Sequence, residues 1–314
     1  MQTRIIPADP AGIAEAAALI RARQPVAVPS ETVYGLAADA TDSEAVARIY
    51  AAKGRPAFNP LIVHVADLAA ARAIASLDTA AEALAARFWP GPLTLVLPLR
   101  PDAGIASLVT AGLDTIAIRV PAHPAMQALI AASGRPLAAP SANASGTISP
   151  TRGAHVARSL DGKVALILDG GATGHGLEST IAAPGPGTLR LLRPGPITAA
   201  MLSEATGLPV TSPTGGAIEA PGQLAAHYAP SKPLRLDATD ARDGEWLIGF
   251  GSVAGHVSLS PTGDPVEAAA RLFDLLHEAD AGPAPSIAIA PIPHDGLGAA
   301  ITDRLARAAM GAAR

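Results

Sequence analysis

The sequence predicts an α/β protein in two unequal units, and three observations carry that expectation. Short apolar runs of strand length alternate with Ala-rich helical stretches from residue 10 to about 206. Residues 207–232 then turn rich in Pro, Gly and hydroxyls with no period, which reads as a linker. Strand and helix patterns resume on a smaller scale over 233–314. The expected plan is a domain at 1–206, a linker at 207–232 stiff enough to lie over a cleft, and a small Rossmann-like α/β domain at 233–314.

In the first unit, Ile13, Ala17 and Ile20 mark a helix over Pro10–Arg23, which leads into a strand at Val26–Val28. After a polar turn from Pro29 to Tyr34, Thr41 and Glu44 form a capping-box pattern for a helix ending at Lys53-Gly54. Pro56 and Pro60 stop that helix from continuing, and Leu61–Val65 is the next strand, carrying His64. Helices over Leu68–Ala75 and Thr79–Phe88 precede the turn Trp89-Pro90-Gly91-Pro92 and the strand Leu93–Leu97.

In Thr115–Val120, the residues Thr115, Ala117 and Arg119 share one strand face, opposite an apolar one. An arginine in mid-strand either reaches solvent or meets an anion. A helix over Pro124–Ala132 and a strand at Leu137–Ala139 feed the loop PSANASGTISPT, whose hydroxyls and amides suit a phosphate; a helix from Thr151 to Leu160 follows. The strand Val164–Leu168 leads into a glycine-rich turn that sets Glu178, Ser179 and Thr180, and a strand ending at Arg193 and a helix over Ile197–Ala205 close the unit. The second unit shows strands at Leu247–Phe250, Val257–Leu259 and Ser286–Ala290, a helix capped at Asp264-Pro265, and a final helix over Leu297–Ala309.

Composition excludes several chemistries. With no cysteine there is neither a disulfide nor thiolate-bound zinc, and the eight histidines show no H-x-x-x-H spacing. A G-x-S-x-G elbow, a Walker loop and the dinucleotide fingerprint G-x-G-x-x-G are all missing. A net charge of -4 and only 3% aromatics argue against tight RNA binding. No apolar run reaches membrane length and the first ten residues lack a signal core, so a cytoplasmic enzyme is the expectation.

What remains is a set of cations, amides and hydroxyls at strand ends: Lys53, Arg55, Arg119, Arg193, Thr32, Asn59, Thr115, Ser141, Asn143, Ser149 and Ser179. Such a set suits holding a nucleotide polyphosphate beside a small zwitterion, with rate gained from positioning and charge stabilisation. Lysine is scarce (Lys53, Lys163, Lys232) and asparagine scarcer (Asn59, Asn143). Lys53 and Asn59 nevertheless share one loop, which marks that loop as functional.

The motifs P-S-E-T-V-Y-G-L, K-G-R-P with N-P-L-I-V-H, F-W-P-G-P-L-T, I-R-V-P, P-S-A-N-A-S-G, G-L-E-S-T and L-R-P-G occur in order, and together the chain resembles the YrdC-like family. H-Y-A-P and the trailing domain resemble that family's two-domain form. Ser30 stands where the family has Thr, and Ala37 where it has Gly. The resemblance implies a large twisted mixed sheet with flanking helices. It also implies a reaction: L-threonine, bicarbonate and ATP would give threonylcarbamoyl-AMP and pyrophosphate, towards N6-threonylcarbamoyladenosine at position 37 of tRNA.

By the same resemblance Thr32, His64, Arg119, Ala139 and Ser179 would hold threonine. Lys53, Arg55, Asn59, Thr115, Ser141, Asn143, Ser149, Arg193 and Tyr228 would hold ATP, with Lys53 and Arg55 catalytic, Tyr228 closing over the nucleotide, and Mg²⁺ arriving with ATP and not held by a dedicated protein site. The downstream partner would be the tRNA threonylcarbamoyl transferase complex. Of the rival readings, the acidic net charge and dispersed arginines argue against an RNA-binding module, and the missing cysteines and the lack of room for acylphosphatase and zinc-finger segments argue against a carbamoyltransferase accessory domain; a synthase using another amine stays open.

Overall fold

The computed structural model describes residues 2–212 and 218–312, so residues 213–217 of the expected linker lie outside the described residues. The chain opens with β1 (Arg4–Pro7), α1 (Pro10–Arg21), β2 (Val26–Val28), β3 (Gly35–Asp39) and α2 (Ser43–Lys53). The cap of α2 differs from the expected capping box. Asp42 Oδ1 accepts from the Glu44 and Ala45 amides, while Thr41 donates its hydroxyl to Asp39 Oδ1. A carboxylate one residue closer outcompetes the hydroxyl for the free amides at the positive end of the helix. Gly54 closes α2 in the left-handed region at φ 60°.

The chain continues through β4 (Ile62–His64), α3 (Leu68–Ile74), α4 (Thr79–Phe88), β5 (Leu93–Pro98), the short α5 (Ser107–Thr110), β6 (Thr115–Arg119), α6 (Pro124–Ser133) and β7 (Leu137–Ala138). Then come α7 (Gly153–Leu160), β8 (Leu166–Asp169), β9 (Thr180–Gly185), β10 (Thr188–Arg193), α8 (Ala199–Thr206) and β11 (Val210–Thr211). Eleven strands form one twisted mixed sheet in the order β1-β8-β2-β3-β7-β4-β6-β5-β9-β10-β11. The linker stretch begins inside this sheet, because β11 adds to β10 in parallel.

Two features of the sheet place the site. β6 lies between β4 and β5, so Arg119 is on an inner strand and cannot be an exposed edge arginine. β4 and β6 run parallel in the register His64↔Arg119, which sets those two side chains next to each other at the strand ends.

The small domain contains β12 (Leu234–Arg235), β13 (Glu245–Gly249), β14 (Val257–Ser258), α9 (Pro265–Ala281), β15 (Ser286–Ile289) and α10 (Gly298–Ala312). Its sheet, ordered β12-β15-β13-β14, is parallel throughout, as a Rossmann-like unit requires. The two domains share an apolar core: Val33, Ile148 and Leu177 of the first pack with Phe273, Leu276 and Leu305 of the second, around Tyr228 of the linker. This shared cluster docks the small domain on the first through apolar side chains removed from water.

Candidate active site

The cleft opens where the turn after β2, the end of β4, the loop after β7 and the start of β9 converge beneath linker residues Pro221–Tyr228. Ser30 shapes the turn: its hydroxyl donates to the Val33 carbonyl at 2.6 Å and accepts from the Thr32 and Val33 amides. A serine therefore makes these turn-closing bonds in this chain. All five residues expected to bind threonine, Thr32, His64, Arg119, Ala139 and Ser179, line one cleft with Arg55, Ser141, Arg193 and Tyr228 of the expected nucleotide set.

At the amino-acid end, Arg119 is buried and pre-oriented. Its Nε donates to the Gly91 carbonyl at 3.0 Å, and its Nη1 to Thr32 Oγ1 at 2.9 Å. Nη2 stands 2.5 Å from Glu31 Oε1, an ion pair by distance whose angle leaves Nη2 without a hydrogen bond. Burial pushes the Glu31 carboxyl up, but the Arg119 charge and the Ala122 amide outweigh it and bring it down to about 2. His64 is driven down to about 3 by burial and by Arg119, so it is a neutral imidazole at physiological pH. Ser179 completes this end, its hydroxyl 2.7 Å from Thr94 Oγ1.

The other end is cationic. Arg55 donates from Nε to the Asn59 carbonyl at 3.2 Å and from Nη2 to the Pro60 carbonyl at 2.8 Å. Arg193 donates from Nε and Nη2 to the Ser179 carbonyl at 3.0 and 2.9 Å. Lys53 lies one layer behind the wall, where its Nζ donates to the carbonyls of Ser141 and Asn143 and fixes the loop that follows β7. Among the described residues no carboxylate comes within ion-pair distance of Lys53, Arg55 or Arg193. Burial lowers all three, Arg55 to about 10 and Lys53 well below an ordinary lysine, the latter aided by the Arg55 charge. Buried cations without a counterion are unfavourable, and an incoming polyanion relieves that cost.

Four further residues of the expected nucleotide set lie outside this lining. Asn59 is buried beside Arg55 with both side-chain amide atoms unpartnered. Asn143 donates to the Ala144 and Thr147 carbonyls and keeps Oδ1 unpartnered. Thr115 stands at the opposite end of β6 from Arg119, roughly 13 Å along the strand at about 3.3 Å per residue. Ser149 donates its hydroxyl to Glu178 Oε1.

The linker covers the cleft. Gly222, at φ 87°, approaches so closely that a Cβ there would stand 2.8 Å from Arg193 Cδ and 2.9 Å from the Tyr228 hydroxyl. Tyr228 and His227 are buried, and the cavity left beneath them is about 50 Å³. That space is smaller than the several hundred cubic ångströms of an ordinary small-molecule pocket, so the linker lies closed over the cleft in this arrangement. Unpartnered buried atoms gather around the cleft: those of Asn59 and Asn143, Nδ1 of His64 and His227, the Tyr228 hydroxyl, Arg119 Nη2 and Glu31 Oε2. Buried polar atoms are ordinarily paired, and here the unpaired ones concentrate in and just behind the cleft wall.

Sequence reading missed three participants. Glu31 sits within a recognised motif, but its pairing with Arg119 spans 88 positions and leaves no local signal. Glu178 is legible only as one of three residues set by the glycine-rich turn, and Arg304, fully buried and 2.9 Å from Glu178 Oε2, belongs to the second unit, where no local motif singles it out.

Fold and site together define a two-domain α/β protein whose cleft has one end built on a paired, buried arginine and another rich in buried cations without an ion-pair partner among the described residues. Comparison with known proteins sharpens that class. A family model described as "Telomere recombination", the Sua5/YciO/YrdC model, matches residues 18–195, and one described as "Threonylcarbamoyl-AMP synthase, C-terminal domain" matches 197–310. The threonylcarbamoyl-AMP synthase of Bacillus subtilis is 42% identical over 95% of this chain and 93% of its own, and that of Pyrococcus abyssi 41% over 93% and 92%. The crystal structure of P. abyssi Sua5 complexed with L-threonine superposes with a TM-score of 0.88 at 37% identity, covering 99% of this chain and 98% of that one. The chain belongs to the Sua5/YrdC family, in its two-domain form.

Proposed function

We propose that the chain catalyses formation of threonylcarbamoyl-AMP and pyrophosphate from L-threonine, bicarbonate and ATP, as an adenylyl-transferring enzyme serving the threonylcarbamoyl modification of tRNA adenosine. The observation that carries this reading is the cleft's division into a doubly anchored arginine beside neutral His64 and a group of buried cations with no counterion. Relatives so named, at 41 to 42% identity over most of the chain, support it.

The threonine carboxylate would meet Arg119, with Thr32, His64, Ser179 and the backbone at Ala139 around the rest of the molecule. Its amino group, as the free amine, joins the carbon of bicarbonate with loss of water, giving a carbamate. A carbamate oxygen then bonds to the α-phosphorus of ATP as the bond to the bridging oxygen breaks, and pyrophosphate leaves. Arg55 and Arg193 would stabilise the charge that builds on the phosphates, worth on the order of 10²- to 10³-fold per well-placed donor. Lys53 would hold the Ser141–Asn143 wall through its bonds to the two carbonyls.

Mg²⁺ would enter as part of the MgATP substrate. Glu178, the carboxylate among the cleft-lining residues, already accepts from Ser149 and Arg304 with its two oxygens, and no cluster of three or more metal-ligating side chains occurs among the described residues. The product would pass to the transferase complex that acts on tRNA. No helix among the described residues is long and apolar enough to cross a membrane. The test is pyrophosphate release from MgATP with bicarbonate, comparing L-threonine, L-serine and no amino acid. Release that requires both threonine and bicarbonate is expected; none, from folded protein that binds ATP, would refute the reading.

A further inference from the structure

Arg304 belongs to α10 of the small domain, yet it is fully buried against the first domain. Its Nε donates to Glu178 Oε2 at 2.9 Å, its Nη2 to the Pro194 carbonyl at 2.9 Å, and its Nη1 to Asp303 Oδ2 at 2.7 Å. Its guanidinium carbon lies 5.2 Å from the centre of the Tyr228 ring. Through these contacts one side chain reaches three elements of the nucleotide end. Glu178 holds the Ser149 hydroxyl with its other oxygen, Pro194 directly follows Arg193, and Tyr228 is the buried linker tyrosine. The same helix grips the linker at Arg307, whose Nη1 donates to the Leu224 carbonyl at 2.7 Å and whose carbonyl accepts from the His227 amide.

Stability alone is a weak reason for this pair. Burying a guanidinium and a carboxylate costs desolvation that packed apolar side chains would avoid, and replacing such pairs by hydrophobic residues is often neutral or stabilising. Position explains it better. Glu178 lines the cleft next to where phosphates would lie, and without Arg304 it would be an unneutralised anion facing them. Arg304 cancels that charge while aiming Glu178 at Ser149. We propose that Arg304 is a positioning residue for the nucleotide, so that the C-terminal domain forms part of the ATP site by neutralising Glu178 and fixing Ser149, the Arg193-Pro194 turn and Tyr228. This rests on the reading of the cationic end as the ATP site.

The test uses the full chain, measuring threonine-dependent pyrophosphate release with MgATP varied at saturating threonine, then the reverse. Arg304→Met is expected to raise KM for ATP by roughly tenfold or more and to move KM for threonine by less than about twofold, since removing one partner leaves a buried charge facing the nucleotide. Arg304→Met combined with Glu178→Gln is expected to recover part of the loss in KM for ATP, because the repelling charge is gone and an amide oxygen still accepts from Ser149, while the contacts to Pro194 and Tyr228 stay lost. An unchanged ATP KM in the single variant, equal losses for both substrates, or a double variant no better than the single would overturn the proposal. Should Arg304→Met fail to fold, Arg304→Gln, which removes the charge and keeps hydrogen-bond donors, carries the comparison: a rise in ATP KM alone supports the proposal, and a rise in neither or in both overturns it. A wild-type chain that releases no pyrophosphate with threonine would instead refute the ATP reading beneath it.

Discussion

The two ends of the cleft solve the burial of a guanidinium in opposite ways. Arg119 meets a carboxylate, a hydroxyl and a carbonyl, so its charge is offset before any substrate arrives. Arg55 and Arg193 meet carbonyls on their N–H groups and have no ion-pair partner among the described residues. The first arrangement fixes geometry and leaves a modest residual attraction, which fits one carboxylate. The second leaves buried positive charge in excess, which fits a polyphosphate.

The sharpest way to break this comparison is to remove a cation at the unpaired end. Arg193→Ala is expected to lower kcat/KM for ATP by about 10²- to 10³-fold, the scale for losing a charge-stabilising donor. Lys53→Ala should slow adenylate formation by roughly tenfold or more, acting on the Ser141–Asn143 wall; unchanged turnover would return Lys53 to an ordinary helix-end charge. Arg119→Ala should raise KM for threonine by about 30-fold, near 2 kcal/mol for a charged hydrogen bond, and leave KM for ATP little changed. Equal losses for both substrates would erase the division of the cleft.

A smaller effect comes from pH. His64 at the amino-acid end and His227 at the nucleotide end are both lowered from 6.5 to about 3, each chiefly by burial. Below pH 6.5 the unfolded chain binds protons at these imidazoles that the folded chain refuses. Their contribution is therefore fully present above pH 6.5 and is lost as pH falls toward 3, by up to about 1.4 kcal/mol per pH unit for each. Denaturant unfolding between pH 5 and 8 checks this: His227→Gln should remove about one proton's worth of slope. The smallest effect is expected for Glu31→Gln. Taking the resident negative charge from Arg119 should lower KM for threonine by about threefold with ATP unaffected, and a rise would show that Glu31 chiefly positions the arginine.

Much of this was legible along the chain. Period-two alternation in Thr115–Arg119 put a hydroxyl and a guanidinium on one face, and the structure keeps that strand. The chain-ordered motifs picked out Thr32, His64, Arg119, Ala139 and Ser179, which the fold brings to one cleft. β3 escaped because all five of its residues are buried and most are small, so it has no polar alternation to read. β1, β11 and β12 escaped because Arg, Pro or Thr takes up half of each, leaving no apolar run as continuous as that of the comparably short β2.

Sequence by itself determined the α/β class, the two-domain plan and the chemical types gathered at strand ends, because each is written in local periodicity or in short motifs. The tertiary structure alone decided which charges meet. Glu31 with Arg119, and Glu178 with an arginine 126 residues away in the other domain, are pairs made by strand order and domain docking. No propensity or spacing encodes them, since electrostatic pairing depends on distance in space and on burial, both of which exist only once the chain has folded.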